Sequence, residues 1–415
     1  MKSINRVLFV LIFISLGCDI HKSNDTQNEN NYNKESNLSE KEEGEPTIII
    51  TDLYYPPQDD DDNFDLVMAY ALPEIKTRAI ILDITEAFRK PVADHPVLWK
   101  DPFGPREAGI IPVMQLNYIF NKNIPFAVSP LNAMRSTRDK MYDIPEFQQQ
   151  GVELLLSVLK ESTEKVHILS FGSARVLAVA YNRDSALMKE KVKMIYLNMG
   201  MVYREGATLD EIDSRKSEVD SWNVNLDVHS FVRLMRSDLP IALYPCGSWE
   251  GTGKNNTFWE LKSLTFITEM NKKLQRYMDY LFRKKNQYDF LRAMDLNELP
   301  DTSIIENQYP REFYMWTTES WLQVANLVLT GKGDTVFSIK STDDVEDDEV
   351  IVSGKLLPCV FEVGNDGTFA FTKISASEAT NFYIYERSNP ILNLEAFNVA
   401  LPAFFKSFDP DNNHP

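Results

Sequence analysis

A chain of 415 residues with 43% hydrophobic content can bury one large α/β core or two smaller ones, and it has nothing of a fibrous or wholly disordered polypeptide. Its formal net charge is −18 at pH 7, from 61 acidic against 43 basic residues. Nucleic-acid binding needs Lys and Arg stripes that displace phosphate counterions, so this balance argues against a DNA or RNA polymer as partner.

At the N-terminus, Lys2 and Arg6 precede the apolar run Val7-Leu8-Phe9-Val10-Leu11-Ile12-Phe13-Ile14, followed by Ser15-Leu16-Gly17-Cys18. That run is too short for a permanent bilayer span, whereas a charged, then apolar, then small-residue succession reads as a signal peptide over residues 1–17. Gly17-Cys18 resembles a bacterial lipobox, with Ser15 where Leu is usual. The resemblance implies that Cys18 is the lipidated first residue of the mature chain; the plain alternative is secretion with a free Cys18. From Asp19 to Pro46 the composition is Asn, Ser, Glu, Lys, Asp and Gln, so residues 18–46 read as a flexible tether without apolar anchors. Together these features predict a protein at the bacterial cell envelope, touching the membrane through its lipid alone. Cys246 and Cys359 remain, and they are expected not to pair.

The most telling stretch follows. An apolar strand, Thr47-Ile48-Ile49-Ile50-Thr51, ends at Asp52, and soon after come Asp59-Asp60-Asp61-Asp62-Asn63-Phe64-Asp65. Blocks of like charge usually face water. Here the acids lie between a buried strand and a helix-like run, Leu66-Val67-Met68-Ala69-Tyr70-Ala71-Leu72, itself followed by a second strand from Ala79 to Thr85. Crowded carboxylates beside a core repel one another, and a hard divalent cation with oxygen ligands relieves that repulsion. An EF-hand is excluded: with Asp59 first, Phe64 and Tyr70 fall where that loop needs Gly and Glu.

Further on, Val166 to Ser170 reads as a strand breaking at Gly172 into an apolar helix. Lys193–Asn198 stops at Met199-Gly200, and Leu239–Tyr244 stops at Pro245-Cys246-Gly247. Strands alternating with helices predict an α/β fold, a mostly parallel open sheet flanked by helices, with Asp52, Gly172, Asn198 and Cys246 along the rim at the strand C-terminal ends. Lys262 to Lys285 carries Leu264, Ile267, Met270, Leu274, Met278 and Leu281 at helical spacing and reads as a packing helix. Asp343 to Glu349 reads as a solvated acidic loop. A C-terminal β-rich extension includes a hairpin around Asn365-Asp366-Gly367.

Strand, Asp-rich loop, Ala/Leu-rich helix and Pro73-Glu74, in that order, resemble the inosine/uridine-preferring nucleoside hydrolase family over roughly Thr47 to Thr330. That family's calcium loop, Asp-Thr-Asp-Pro-Gly-x-Asp-Asp, can be laid here with Asp52 at the strand end and the pair on Asp61 and Asp62, or with Asp59 first and the pair on Asp62 and Asn63. Ser170–Ala178 is similar to a segment whose backbone carbonyl binds calcium, which implies a role for Arg175. Ile195–Met201 matches a Met-Gly-Gly strand end, and Ser221-Trp222-Asn223-Val224-Asn225-Leu226-Asp227 is similar to the sugar-holding Glu-Phe-Asn-Ile-Tyr-x-Asp, with Ser221 in place of the acid. The family's late His-Asp pair is represented by Thr318-Glu319.

The resemblance implies a nucleoside hydrolase-like domain over residues 47–415. It implies Ca2+ held by Asp52, Asp59, Asp61, Asp62, Arg175 and Glu319, with Asp52 or Asp59 as the catalytic base toward water. Substrate contacts would come from Asn63, Asn198, Trp222, Asn223 and Asp227. With no His at the late position, Tyr54, Tyr55 or Arg106 are left as donors to the departing base. Two functions follow: calcium-dependent hydrolysis of the N-glycosidic bond of nucleosides or related ribosides, or non-catalytic binding of a nucleoside or carbohydrate. The partner is in either case a small riboside or sugar, and a homo-oligomer is left open.

Overall fold

The computed structural model describes residues 44–54, 61–85, 107–213, 221–248, 253–282, 294, 301–333 and 335–412. The signal peptide, Cys18 and nearly all of the tether lie outside these residues, as do Tyr55, Asp59, His95 and Arg106.

Nine strands form the central sheet. In chain order they are β1 (Glu45–Thr51), β2 (Ile75–Leu82), β3 (Phe126–Val128), β4 (Val166–Ser170), β5 (Val192–Asn198), β6 (Ile241–Tyr244), β7 (Lys355–Val363), β8 (Phe369–Lys373) and β9 (Phe382–Glu386). Their spatial order is β8-β7-β9-β6-β5-β4-β1-β2-β3. From β9 to β3 every pairing is parallel, with Ile49 opposite both Ile80 and Leu169, while β7 pairs antiparallel with β9 and β8.

Successive strand side chains point to opposite faces, and both faces are covered here, which explains why the middle of β1, Ile48 to Ile50, is apolar. Ile48 and Ile50 join a core with Val152 and Leu155 of α3 (Glu146–Glu161), Val176 and Val179 of α4 (Arg175–Arg183) and Phe231 of α6 (Val228–Met235). Ile49 joins the opposite core with Phe64 and Val67 of α1 (Asp61–Ala71), Trp321 of α8 (Thr318–Val324) and Phe397 of α9 (Pro390–Lys406). Both sheet faces are therefore covered, and the parallel strands deliver their C-terminal ends to one side.

The packing helix is shorter than the sequence pattern. A 3-10 turn over Thr265–Glu269 precedes α7 (Lys272–Phe282), and Leu264, Ile267, Met270, Leu274, Met278 and Leu281 are all buried as expected. Asp343, Asp344, Asp347 and Asp348 are exposed, and Cys246 and Cys359 are free. The hairpin turn falls at Asn365-Asp366-Gly367, where Gly367 adopts a φ of 87° and Val363 pairs with Phe369. The extension is no appendage: Leu357 pairs with Ile384, and Ile384 with Leu243, so it adds strands to the sheet edge before ending in the 17-residue α9. Among the described residues no helix is long and apolar enough to cross a membrane.

α2 (Ile110–Ile119) starts behind Gly109, whose φ of 75° and approach to the Leu53 carbonyl leave no room for a side chain. Glu107 accepts a 2.8 Å bond from Ile110 N through Oε2, while its Oε1 is buried without a hydrogen-bond partner. Burial pushes the Glu107 carboxyl up to about 7. The folded protein thus holds that proton more tightly than the unfolded chain. The resulting stabilisation is complete below about 4.5 and is lost as pH climbs through about 7. Glu107→Gln keeps an acceptor for Ile110 N. It should raise the melting temperature relative to the parent above neutral pH, with the gap closing below pH 4.5; calorimetric scans across that range check it.

Candidate active site

The site grows from the ends of β1, β4 and β5. Thr51, the last residue of β1, donates from Oγ1 to Asp62 Oδ1 at 2.8 Å, and the same hydroxyl accepts from Leu53 N at 3.1 Å. This contact ties the strand end to α1. The helix already includes Asp61 and Asp62, ahead of the apolar run that marked it in the sequence, and carboxylates in a first turn complement the positive end of the helix dipole. Beneath Asp52 lies Gly172, where a Cβ would sit 2.9 Å from the Asp52 Cβ and 3.2 Å from Asp83 Oδ2. Glycine is needed at this position for close approach.

Asn223, on the short helix α5 (Trp222–Leu226), donates from Nδ2 to the carbonyls of Phe171 and Asn198, each at 2.9 Å, and so clamps the ends of β4 and β5 together. Ser221 Oγ accepts from Gly200 N at 2.9 Å, and Asn198 Nδ2 donates to Ser320 Oγ at 3.2 Å. These elements enclose a cavity of about 240 Å³. Asp52, Asp61 and Asp62 line it together with Asn198, Trp222 and Asn223. Six of the metal, catalytic and substrate residues implied by the resemblance thus meet, together with Tyr54, Ser221 and Cys246, also named from sequence, and with Trp316 and Thr317. Burial, then the charges of Asp61 and Asp52, push the Cys246 thiol up to about 12, so it stays a neutral thiol and not a nucleophile.

The side chains of four other predicted site residues are engaged elsewhere, although the ligand implied at Arg175 is its backbone carbonyl. Arg175 and Asp227 form a fully buried ion pair, Nε to Oδ2 at 3.2 Å, and neither lines the cavity. The guanidinium also donates to the Pro130 carbonyl at 2.5 Å and to Thr85 Oγ1 at 2.8 Å, while Asp227 accepts from Met134 N and caps α6 through Ser230 N. Asn63 is buried, with Oδ1 accepting from Tyr277 Oη at 2.9 Å. Glu319 is buried beneath the C-terminal extension, its Oε1 accepting from Tyr385 Oη and Asn393 Nδ2. Thr318 accepts from Trp259 Nε1, so the late segment brings Trp316 and Thr317 to the cavity instead of Thr318-Glu319.

Two buried acids escaped the sequence reading. Asp65 Oδ1 accepts from Thr317 Oγ1 at 2.6 Å and Trp321 Nε1 at 2.7 Å, while Oδ2 is buried without a hydrogen-bond partner. Burial, reinforced by Asp62, holds this carboxyl well above the usual range. Its signal was helical spacing, three residues beyond Asp62. Asp83, just past β2, accepts from Ser129 Oγ at 2.6 Å and from both Ser173 N and its hydroxyl; burial raises its pKa and Arg175 opposes the rise.

The cavity's donors are hard oxygens, the chemistry that Ca2+ prefers. Among the described residues, however, no group of three or more His, Cys, Asp or Glu side chains closes into a metal-binding cluster. The described residues alone do not complete a calcium cage, and Asp59 lies outside them.

No family model matches the chain, and neither does any curated protein. Among solved structures it is similar to a plant nucleoside hydrolase, at 12% identity and a TM-score of 0.47, covering 85% of this chain and 98% of that one. A purine-preferring ribonucleoside hydrolase from Gardnerella vaginalis matches at 12% identity and a TM-score of 0.47, covering 87% and 99%. An inosine-uridine preferring nucleoside hydrolase from Bacillus anthracis does so at 12% and 0.41, covering 86% and 99%. Function has to be read from the cavity itself.

Two substitutions probe this construction. Asp227→Ala leaves the Arg175 charge buried and unpaired and should cost about 3–5 kcal/mol in denaturant unfolding. Gly172→Ala forces a methyl against Asp52 and should cost about 1–3 kcal/mol by the same measurement.

Proposed function

We propose that this cavity binds a small riboside and hydrolyses its N-glycosidic bond in a calcium-dependent reaction. The observation that carries the reading is that Asp52, Asp61, Asp62, Asn198 and Asn223 line one cavity together with the rings of Trp222 and Trp316. Carboxylate and amide oxygens suit the hydroxyls of a pentose, and indole faces suit a planar base. At about 240 Å³ the space fits a small molecule and not a polymer.

In this reading Asp52 or Asp61 takes the proton of the attacking water as its oxygen bonds to the anomeric carbon, and the carbon–nitrogen bond breaks with its electron pair leaving on the base, which takes a proton from the Tyr54 hydroxyl or from water. The remaining carboxylates stabilise the oxocarbenium-like transition state. Asp52, Asp61 and Asp62 would contribute to holding Ca2+ only together with further ligands, since among the described residues they do not close into a metal cluster; the ion would supply a grip on vicinal hydroxyls and a more acidic water. A second reading, a binder without turnover, is favoured by the absence of His among the described residues lining the cavity and by Ser221, whose hydroxyl is already engaged by Gly200 N. Lipid attachment at Cys18, and with it residence at the cell envelope, belongs to the same proposal; the mass of the N-terminal peptide from membrane-extracted protein tests it.

Incubating the protein with calcium and a panel of ribosides and assaying free ribose separates the readings: sugar release supports hydrolysis, and binding without release supports the binder. Asp62→Ala should remove calcium binding in calorimetry, and unchanged affinity would contradict its place in the cation set. Asn223→Ala should weaken riboside binding more than calcium binding, and equal loss of both would refute its role toward the sugar.

A further inference from the structure

The cavity wall that carries Trp316 is held by residues of the C-terminal extension. Arg387 follows β9, is 4% exposed and directs three donors at one loop: Nε at the Gly253 carbonyl at 3.3 Å and Nη2 at the Phe258 carbonyl at 3.0 Å, with its backbone N on the Lys254 carbonyl at 2.8 Å. That loop reaches the cavity twice. Thr257 N and Oγ1 both donate to the Pro245 carbonyl, next to the lining residues Cys246 and Gly247. The Phe258 ring packs 5.4 Å from Trp316 and 5.5 Å from Tyr314.

The third arm of the guanidinium, Nη1, donates to Asn393 Oδ1 at 3.2 Å. Asn393 Nδ2 in turn donates to Glu319 Oε1 at 2.8 Å, in the helix that directly follows Trp316 and Thr317. One buried chain, Arg387–Asn393–Glu319, therefore fastens the two segments that supply this part of the wall. A planar guanidinium with several fixed donors can brace carbonyls at a set separation, which an apolar contact or a lysine cannot.

We propose that Arg387 is a positioning residue that sets Trp316 against the cavity by bracing the Gly253 and Phe258 carbonyls. The inference builds on the cavity's geometry and not on the reaction assigned to it, so its test needs no ligand. Acrylamide quenching of tryptophan fluorescence, compared between the parent and Trp316→Phe, isolates the Trp316 signal. The same difference measured in an Arg387→Met background should be more quenchable and red-shifted, and Arg387→Lys should restore it in part. An unchanged Trp316 signal in folded Arg387→Met protein overturns the proposal. If that variant does not fold, Arg387→Lys decides: a shifted signal supports the brace, and an unshifted one refutes it. Where the parent binds a riboside, Arg387→Met should also weaken that binding on the order of tenfold. A parent that binds no riboside defeats the proposed function and leaves the fluorescence test intact.

Discussion

Like charges crowded at the end of a parallel sheet have to be held against their own repulsion and against the cost of leaving water. Most of the local structure around the cavity answers that demand. Thr51 donates to Asp62, the first turn of α1 offers its positive end to Asp61 and Asp62, and Gly172 withholds a side chain so that Asp52 can approach. Deeper in, burial outweighs the donors that Asp65 and Asp83 receive, and both carboxyls are raised above their ordinary range.

Beneath this polar layer the molecule spends a second set of charges on rigidity. The Arg175–Asp227 pair, with Thr85, Pro130, Met134 and Ser230, ties α4 to α6 and to the segment after β3. Buried pairs of this kind add little net stability over apolar packing but are costly to break, so they fix geometry more than they strengthen it. The C-terminal extension plays a comparable part on the other side through Arg387, Asn393 and Glu319. A site whose walls come from segments far apart in sequence needs such cross-links to keep its shape.

The alternation of strands and helices was legible because period-two and period-3.6 patterns are local, and the apolar run Ile48-Ile49-Ile50 announced a strand covered on both faces. Asp52 and Asn198 were legible because they end parallel strands, which puts them on one side, whereas Asp61, Asp62, Trp222 and Asn223 rested on the family resemblance; all six line the cavity. The side chains of Asp227, Asn63 and Glu319 do not line the cavity, and their burial was illegible for one reason. Side-chain charge and polarity mark both a ligand-facing group and a buried cross-link, and only the partner tells them apart. Those partners, Tyr277 for Asn63 and Tyr385 and Asn393 for Glu319, lie far along the chain.

The sequence by itself determined the parallel α/β sheet, the rim on which its acids gather and the hairpin near its end, since these follow from local periodicity and turn chemistry. Tertiary structure alone decided which acids face the cavity and which are buried, that the late segment presents Trp316 and Thr317, and that the extension braces the wall beside them. Those outcomes depend on contacts between residues widely separated along the chain, and such contacts leave no period or motif in the sequence.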